Sequence, residues 1–160
     1  MIRIVPAVEQ DLPLILEFIR KLAEYERLSH QVVATEELLR AGLFGERRVA
    51  EVILAYWNEE PVGFALFFHN FSTFVGRAGI YLEDLFVEPQ HRGKGLGKAL
   101  LAYVAKLAVE RKCGRFEWAV LDWNTPSIEF YKSLGAVPLD DWTLFRLTGE
   151  ALQKVASLSN

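Results

Sequence analysis

The chain has 160 residues, of which 51% are hydrophobic and 24% charged, with a formal net charge of −3 and one cysteine. At roughly 100–200 residues per domain this predicts a single domain over residues 1–160, large enough for a core without covalent staples, and the composition excludes disorder. Cys113 alone allows no internal disulfide and no cysteine zinc site, no apolar run approaches the ~18–20 residues that span a bilayer, and the acidic balance gives no reason to expect nucleic acid. The stretch from Met1 to Pro6 has no apolar signal core before Glu9 and Asp11, so a cytoplasmic location without a membrane partner is expected.

Residues 2–5 read as a short strand. Asp11 predicts an N-cap with Pro13 just inside the helix, and Ile15, Phe18, Ile19 and Leu22 follow at helical spacing to about Tyr25. After a polar stretch at 29–31, Thr35 caps a second helix, with Glu36 and Glu37 in its first turn and its end near Gly45. Residues 48–57 predict a strand, 58–61 a turn, 62–71 the returning strand, 72–77 a loop and 78–87 another strand. The loop 89–95 leads into a helix with Leu96, Leu100, Tyr103, Val104, Leu107 and Ala108 on one face, closed by Arg111, Lys112 and Gly114. Residues 116–121 predict a strand, and Thr125-Pro126 opens a helix to about Leu134, ended by Gly135. A last strand is expected at 142–147, with Thr148 capping a short terminal helix. The order β-α-α-β-β-β-α-β-α-β-α is a mixed α/β plan with antiparallel hairpins in the middle.

The segment Gln90-His91-Arg92-Gly93-Lys94-Gly95-Leu96-Gly97-Lys98 lies between a strand and an amphipathic helix. Such a loop presents backbone N–H groups without side-chain obstruction at the positive end of a helix dipole. Arg92, Lys94 and Lys98 add charge there, so binding of a phosphate or pyrophosphate fits. Gly97-Lys98-Ala99 lacks the hydroxyl with which a P-loop holds magnesium, and Gly-x-Gly-x-Gly after the fourth strand is not the dinucleotide fingerprint. A bare connector is the other reading, and three alternating glycines among three cations weigh against it.

Gln90-x-x-Gly93-x-Gly95 resembles the Arg/Gln-x-x-Gly-x-Gly/Ala signature of the GNAT superfamily of N-acetyltransferases, in which this loop binds the pyrophosphate of acetyl-CoA. The order of elements is similar to that superfamily over nearly the whole chain. Leu22-Ala23-Glu24-Tyr25-Glu26, Tyr81-Leu82-Glu83-Asp84-Leu85-Phe86-Val87 and Trp123-Asn124-x-Pro126-Ser127-Ile128-x-Phe130-Tyr131-Lys132 resemble the diamine (spermidine/spermine) acetyltransferases. The thialysine acetyltransferases share the same blocks. The resemblance implies a GNAT-like α/β (α+β) fold, a mixed, mainly antiparallel twisted sheet with helices on both faces and a bulge in the strand at 78–87. It implies acetyl-CoA as cofactor, a small polyamine or related primary amine as acceptor, and a homodimer that shares the site. An amino acid such as thialysine or lysine, a protein amine, or a non-catalytic CoA-binding module are the alternatives.

The resemblance also implies roles for particular residues. Gln90, Arg92, Gly93, Lys94, Gly95, Leu96, Gly97 and Lys98 would take the pyrophosphate. The backbone of Leu85, Phe86 and Val87 would take the pantetheine arm, with the Leu85 N–H facing the thioester carbonyl. Pro126 and Tyr131 fall in the same cofactor-binding block. Asn124 is either a helix-cap neighbour or a cofactor ligand, and Ser127 either a first-turn residue or a cofactor contact. Tyr131 is the candidate general acid, since a phenol of pKa near 10 can protonate a departing thiolate. By periodicity alone, with Ile128 and Leu134, it would be a core tyrosine. Glu83 is the candidate to hold the amine and accept its proton through water. Adjacent strand residues point to opposite faces, so Glu83 and Asp84 share a site only if a bulge re-aims one of them. Tyr25, Glu26, Glu117, Trp118 and Ala119 match substrate-lining positions, although Glu117 and Trp118 differ in type from the diamine group. The segment between Tyr131 and Trp142 is shorter than in that group, which leaves the alignment of Asp140 and Asp141 open. His30, His69 and His91 show no metal-ligand spacing, so no metal is expected. Cys113 near a helix C-terminus reads as structural, and with no activated nucleophile in view the amine attacks directly.

Overall fold

Near-continuous apolar runs, buried on both faces at the centre, and two tight turns make the sheet. The computed structural model describes residues 1–159. Strands β1 (Ile2–Pro6), β2 (Glu51–Trp57), β3 (Glu60–Ser72), β4 (Arg77–Val87) and β5 (Phe116–Trp118) pair in the order β1-β2-β3-β4-β5. All neighbours are antiparallel except β4 and β5, which are parallel. The helices are α1 (Leu12–Tyr25), α2 (Glu36–Phe44), α3 (Leu96–Glu110), α4 (Thr125–Ser133) and α5 (Gly149–Ala156). The chain divides into two compact units, Met1–Leu121 and one that begins at Asp122.

In the first unit, α1 presents Leu12, Ile15, Phe18 and Leu22 to Val52 and Leu54 of β2, Phe64 and Leu66 of β3 and Phe86 of β4, with Leu43 of α2 joining them. The Phe18 ring stacks on Phe64 at 5.8 Å and tilts against Phe86 at the same distance. Leu96, Leu100, Leu101, Val104 and Ala108 are the buried face of α3, which packs against β1 to β4. Thr35 caps α2 by accepting the Leu38 N–H at 3.2 Å. Asp11 is the N-cap residue of α1 as expected, but its side chain makes no cap hydrogen bond to the helix; its carboxylate accepts the Val8 N–H instead, closing a separate turn at Glu9–Asp11.

Two features of β4 shape everything near it. Leu66 of β3 pairs with Asp84 and Phe67 with Leu82, so Glu83 is an extra residue, a β-bulge. Because side chains alternate along a strand, the bulge reverses the face assignment beyond it. Asp84, opposite core residue Leu66, therefore comes to the α1 face that Tyr81 shares with Phe68. Second, β5 pairs with β4 only at Ile80, Tyr81 and Leu82. Past Leu82, β4 has no neighbour on that edge among the described residues.

Three sequence expectations are corrected. The strand at 116–121 stops at Trp118, where its pairing with β4 ends. The strand expected from 48 begins at Glu51, where the ladder with β3 starts. Residues 142–147 form no strand, although Trp142, Leu144 and Leu147 follow a partly alternating pattern. Trp142, Leu144 and Phe145 are largely exposed, and the described residues of the second unit contain α4 and α5 but no strand to supply a hydrogen-bonding partner. An alternating sequence becomes a strand only where another backbone completes the ladder.

The Phe18 cluster gives a direct check of the core. Phe18→Ala is expected to cost about 3–5 kcal/mol in urea denaturation, while Phe74→Ala, at a side chain that is 97% exposed, stays within about 0.5 kcal/mol.

Candidate active site

The glycine loop runs from the end of β4 into α3. One short turn, Pro89–His91, is followed by Gly93 at φ 80° and Gly95 at φ 85°, left-handed backbone that favours glycine. Gly95 is the N-cap of α3 and offers no side chain to occupy the first-turn N–H groups. Gly97 has neither a positive φ nor a crowded neighbourhood, and a Cβ there, as at Gly93, would meet nothing within 4 Å. A glycine inside a helix costs about 1 kcal/mol relative to alanine, so packing does not account for it. Uncapped N–H groups at a helix N-terminus, left uncovered by side chains, fit a pyrophosphate.

The loop side chains divide. Gln90, Lys94 and Lys98 are exposed, and the Lys94 ammonium lies 4.9 Å from the Trp57 ring centroid. Leu96 is buried, which leaves only its backbone for a ligand. Arg92 turns back toward β4 and α1. Its Nε donates to the Val87 carbonyl at 3.0 Å, and its guanidinium lies 4.7 Å over the Tyr25 ring and 5.8 Å from that of Phe86. The junction of β4 and this loop is tied to α1 by Lys21, whose ammonium donates to the buried Glu88 at 2.5 Å and pairs with Glu17 at 3.1 Å.

Beside the loop, the bulge gathers acids. Burial pushes the Asp84 carboxyl up to about 7, and the Glu83 and Glu26 charges add to the shift. Glu26, just past the end of α1, is raised in turn by burial and by Glu83. Tyr81 is raised by burial, Glu83 and Glu117, the last being its cross-strand partner on β5. Glu117 also accepts from Asn70 Nδ2 at 3.3 Å. Of the residues expected around an acceptor, Tyr25, Glu26, Glu83 and Glu117 thus meet on one side of the sheet. Trp118 packs on the Phe116 ring at 4.9 Å, and Ala119 lies exposed just beyond β5. Leu85, Phe86 and Val87 belong to the length of β4 that lacks a β5 neighbour, with the Phe86 side chain in the core.

The second unit holds the remaining expected residues. Asn124 is the N-cap of α4 and accepts the Ser127 N–H at 3.4 Å, so the cap reading of both residues is realised. Pro126 opens the helix, and Tyr131 lies in it with its ring 5.6 Å from that of Phe130. Asp140 and Asp141 are exposed.

Sequence alternation separates Asp84 from Glu83 unless a bulge re-aims one of them, and the bulge that the resemblance implied is present, with Glu83 as the extra residue.

Residues 16–136 match the model of the acetyltransferase (GNAT) family. The chain is 44% identical to a thialysine N-epsilon-acetyltransferase of Mus musculus, over 96% of both chains. It is 35% identical to an L-ornithine N5-acetyltransferase of Arabidopsis thaliana, over 98% of this chain and 89% of that protein. Among solved structures, an integron cassette protein from the mobile metagenome of V. cholerae superposes with a TM-score of 0.80 at 29% identity, over 97% of both chains. No helix among the described residues is long and apolar enough to cross a membrane.

The raised Asp84 carboxyl fixes the sign of a pH effect. Its folded pKa, about 7, lies above the ordinary 3.8, so between these values the folded state binds more protons than the unfolded one. Stability then falls as pH rises through that window and levels off above it. Asp84→Asn is expected to raise the melting temperature relative to the unsubstituted protein at pH 8 but not at pH 4. Equal shifts at both pH values would show that Asp84 titrates normally.

Proposed function

This chain belongs to the acetyltransferase (GNAT) family, and we propose that it transfers acetyl from acetyl-CoA to the side-chain amine of a small basic amino acid of the thialysine or ornithine kind. The observation that carries this reading is the bulge at Glu83, which assembles Glu26, Glu83 and Asp84 beside an open glycine loop. The acids suit an alkylammonium, and the loop suits a pyrophosphate. The choice of an amino acid follows the thialysine and ornithine enzymes that this chain is similar to over nearly its full length. A polyamine is the second reading, favoured by Glu117 as a further carboxylate on the adjacent strand. In either case the whole chain works as one acetyltransferase domain, a cytoplasmic homodimer with no nucleic-acid or membrane partner.

Bound acetyl-CoA supplies an acetyl group already activated as a thioester. The residues that would hold it are the first-turn N–H groups of α3 with Gly93, Gly95 and Gly97, supported by Gln90, Lys94 and Lys98. Asn124, Pro126 and Ser127 from the start of α4 would add contacts, as the resemblance implies. The backbone of Leu85, Phe86 and Val87 would line the pantetheine arm from the strand edge that β5 leaves unpaired. An alkylamine, with a pKa near 10.4, arrives as an ammonium and is a nucleophile only after losing a proton. Glu83, exposed on the bulge, would hold that ammonium and accept its proton through a water molecule, the carboxylate becoming the carboxylic acid. Glu26 and Asp84 supply negative charge nearby, and Asp84, titrating near 7, exchanges a proton at working pH. As the resemblance implies, Tyr131 Oη would hold a proton for the thiolate that leaves when acetyl-CoA is bound. With Glu83 taking the amine's proton, the reading requires no protein nucleophile, and the amine would attack the bound thioester directly.

A thiol-release assay over a panel of amines tests the reading. Thialysine and ornithine are expected to be turned over with kcat/KM above that for spermidine, and the reverse order would favour the polyamine reading. Tyr131→Phe is expected to lower kcat by roughly 10–1,000-fold with little change in KM for acetyl-CoA, as removal of one proton-transfer group does. An unchanged kcat would remove Tyr131 from the mechanism.

A further inference from the structure

An amino-acid acceptor carries a carboxylate as well as an amine, and the acidic cluster around Glu83 would repel it. We propose that Arg92 is the anchor for the acceptor's α-carboxylate, with the side-chain ammonium held at Glu83 and Glu26. The inference rests on the amino-acid reading above and adds the residue that would make the choice.

The geometry of Arg92 carries it. The guanidinium is held from two sides: Nε donates to the Val87 carbonyl at 3.0 Å, and Cζ lies over the Tyr25 ring, 4.7 Å from its centroid. Among the described residues, neither Nη atom has a hydrogen-bond partner. A guanidinium stacked on a ring keeps its edge free, and that edge matches a carboxylate with two parallel N–H donors. Fixing the group in advance lowers the entropy lost on binding. Tyr25 adjoins Glu26, so this cation borders the acidic cluster instead of standing apart from it.

The other cations nearby are less suited. Lys21 is neutralised by Glu88 and Glu17, and the Lys94 ammonium lies over Trp57 at the end of β2.

The spacing also fits. From Glu83 to Val87, whose carbonyl holds Arg92, β4 advances four residues, or roughly 13 Å at ~3.3 Å per residue and a little less across the bulge. An extended ornithine or lysine places about 6–8 Å between amine nitrogen and carboxylate carbon. A hydrogen bond of ~2.8 Å at each end brings the total to about 12–14 Å. A diamine of equal length fills the same span but puts a second ammonium against Arg92, which disfavours it.

The test compares acceptors that differ only in the carboxylate: ornithine with putrescine, and lysine with cadaverine. The protein itself is expected to prefer the amino acid of each pair. Arg92→Gln is expected to lower the ratio of kcat/KM for ornithine to that for putrescine by about 10–100-fold, the range of a charge-assisted hydrogen-bonded pair. The loss should fall on KM for the amino acid. Arg92→Lys, which keeps the charge without the fork, should restore only part of the ratio. A thermal melt of each variant shows that it folds, and KM for acetyl-CoA is read in parallel. If both acceptors fall equally while KM for acetyl-CoA rises, Arg92 serves the cofactor and the inference is wrong. If the unsubstituted protein prefers ornithine and the ratio is unmoved in Arg92→Gln, the amino-acid reading survives without Arg92. If the unsubstituted protein prefers the diamines, the amino-acid reading itself fails.

Discussion

The bulge at Glu83 and the early end of the β4–β5 ladder govern the rest of the site. Three pairs tie β5 to β4, ending at Leu82, and the extra residue follows immediately. A strand that continued regularly would place Asp84 on the α3 side and keep it away from Glu26. The bulge brings it to the α1 side, where burial makes its ionisation costly. The same short ladder leaves 83–87 with one unpaired backbone edge, next to the glycine loop. One inserted residue thus sets the position of the acids and their proton affinity, beside the edge where backbone groups are left over.

That arrangement is costly, and the surrounding packing holds it in place. Neighbouring carboxylates repel, and burying one without a partner cation favours its neutral form. Stability comes from the layers on either side: α1, with Phe18 between Phe64 and Phe86, and α3, with Leu100 and Val104 fully buried. Lys21 to Glu88 and Arg92 to the Val87 carbonyl then secure the point where β4 becomes loop. These contacts join α1, β4 and the loop into one rigid corner. In a chain of net charge −3, the distribution of cations at this corner matters more than the sum: Lys21 is paired with Glu88 and Glu17, while Arg92, among the described residues, donates only to a carbonyl.

Much of this was legible in the residues. Periodicity located α1 and α3 because both carry long apolar stripes, and Thr35 marked the start of α2 because its hydroxyl takes the Leu38 N–H. The glycine loop stood out because its chemistry is local: consecutive backbone groups, small residues and a following helix. What escaped depends on pairing. Residues 142–147 have strand-like residues but no partner backbone in their unit, and the segment after Trp118 leaves the ladder for want of one. Alternation alone could not bring Asp84 and Glu83 together, because it holds only while the register does; the resemblance supplied the bulge, and the structure gives its position. Arg92 was placed at the phosphate loop from its position in the chain, yet its side chain reaches back to Tyr25, 67 positions earlier in the sequence.

The sequence by itself determined a run of α and β elements around a glycine loop suited to an anion, and these features follow from residue type and short-range spacing. The carboxylates and tyrosines of an amine acetyltransferase were picked out by the family resemblance, not by local pattern. Only the tertiary structure decided which carboxylates lie near one another and where the loop arginine lies. Both depend on one inserted residue in β4 and on how α1 packs across it, and contacts between residues distant in the chain are set by register and packing, which no local pattern records.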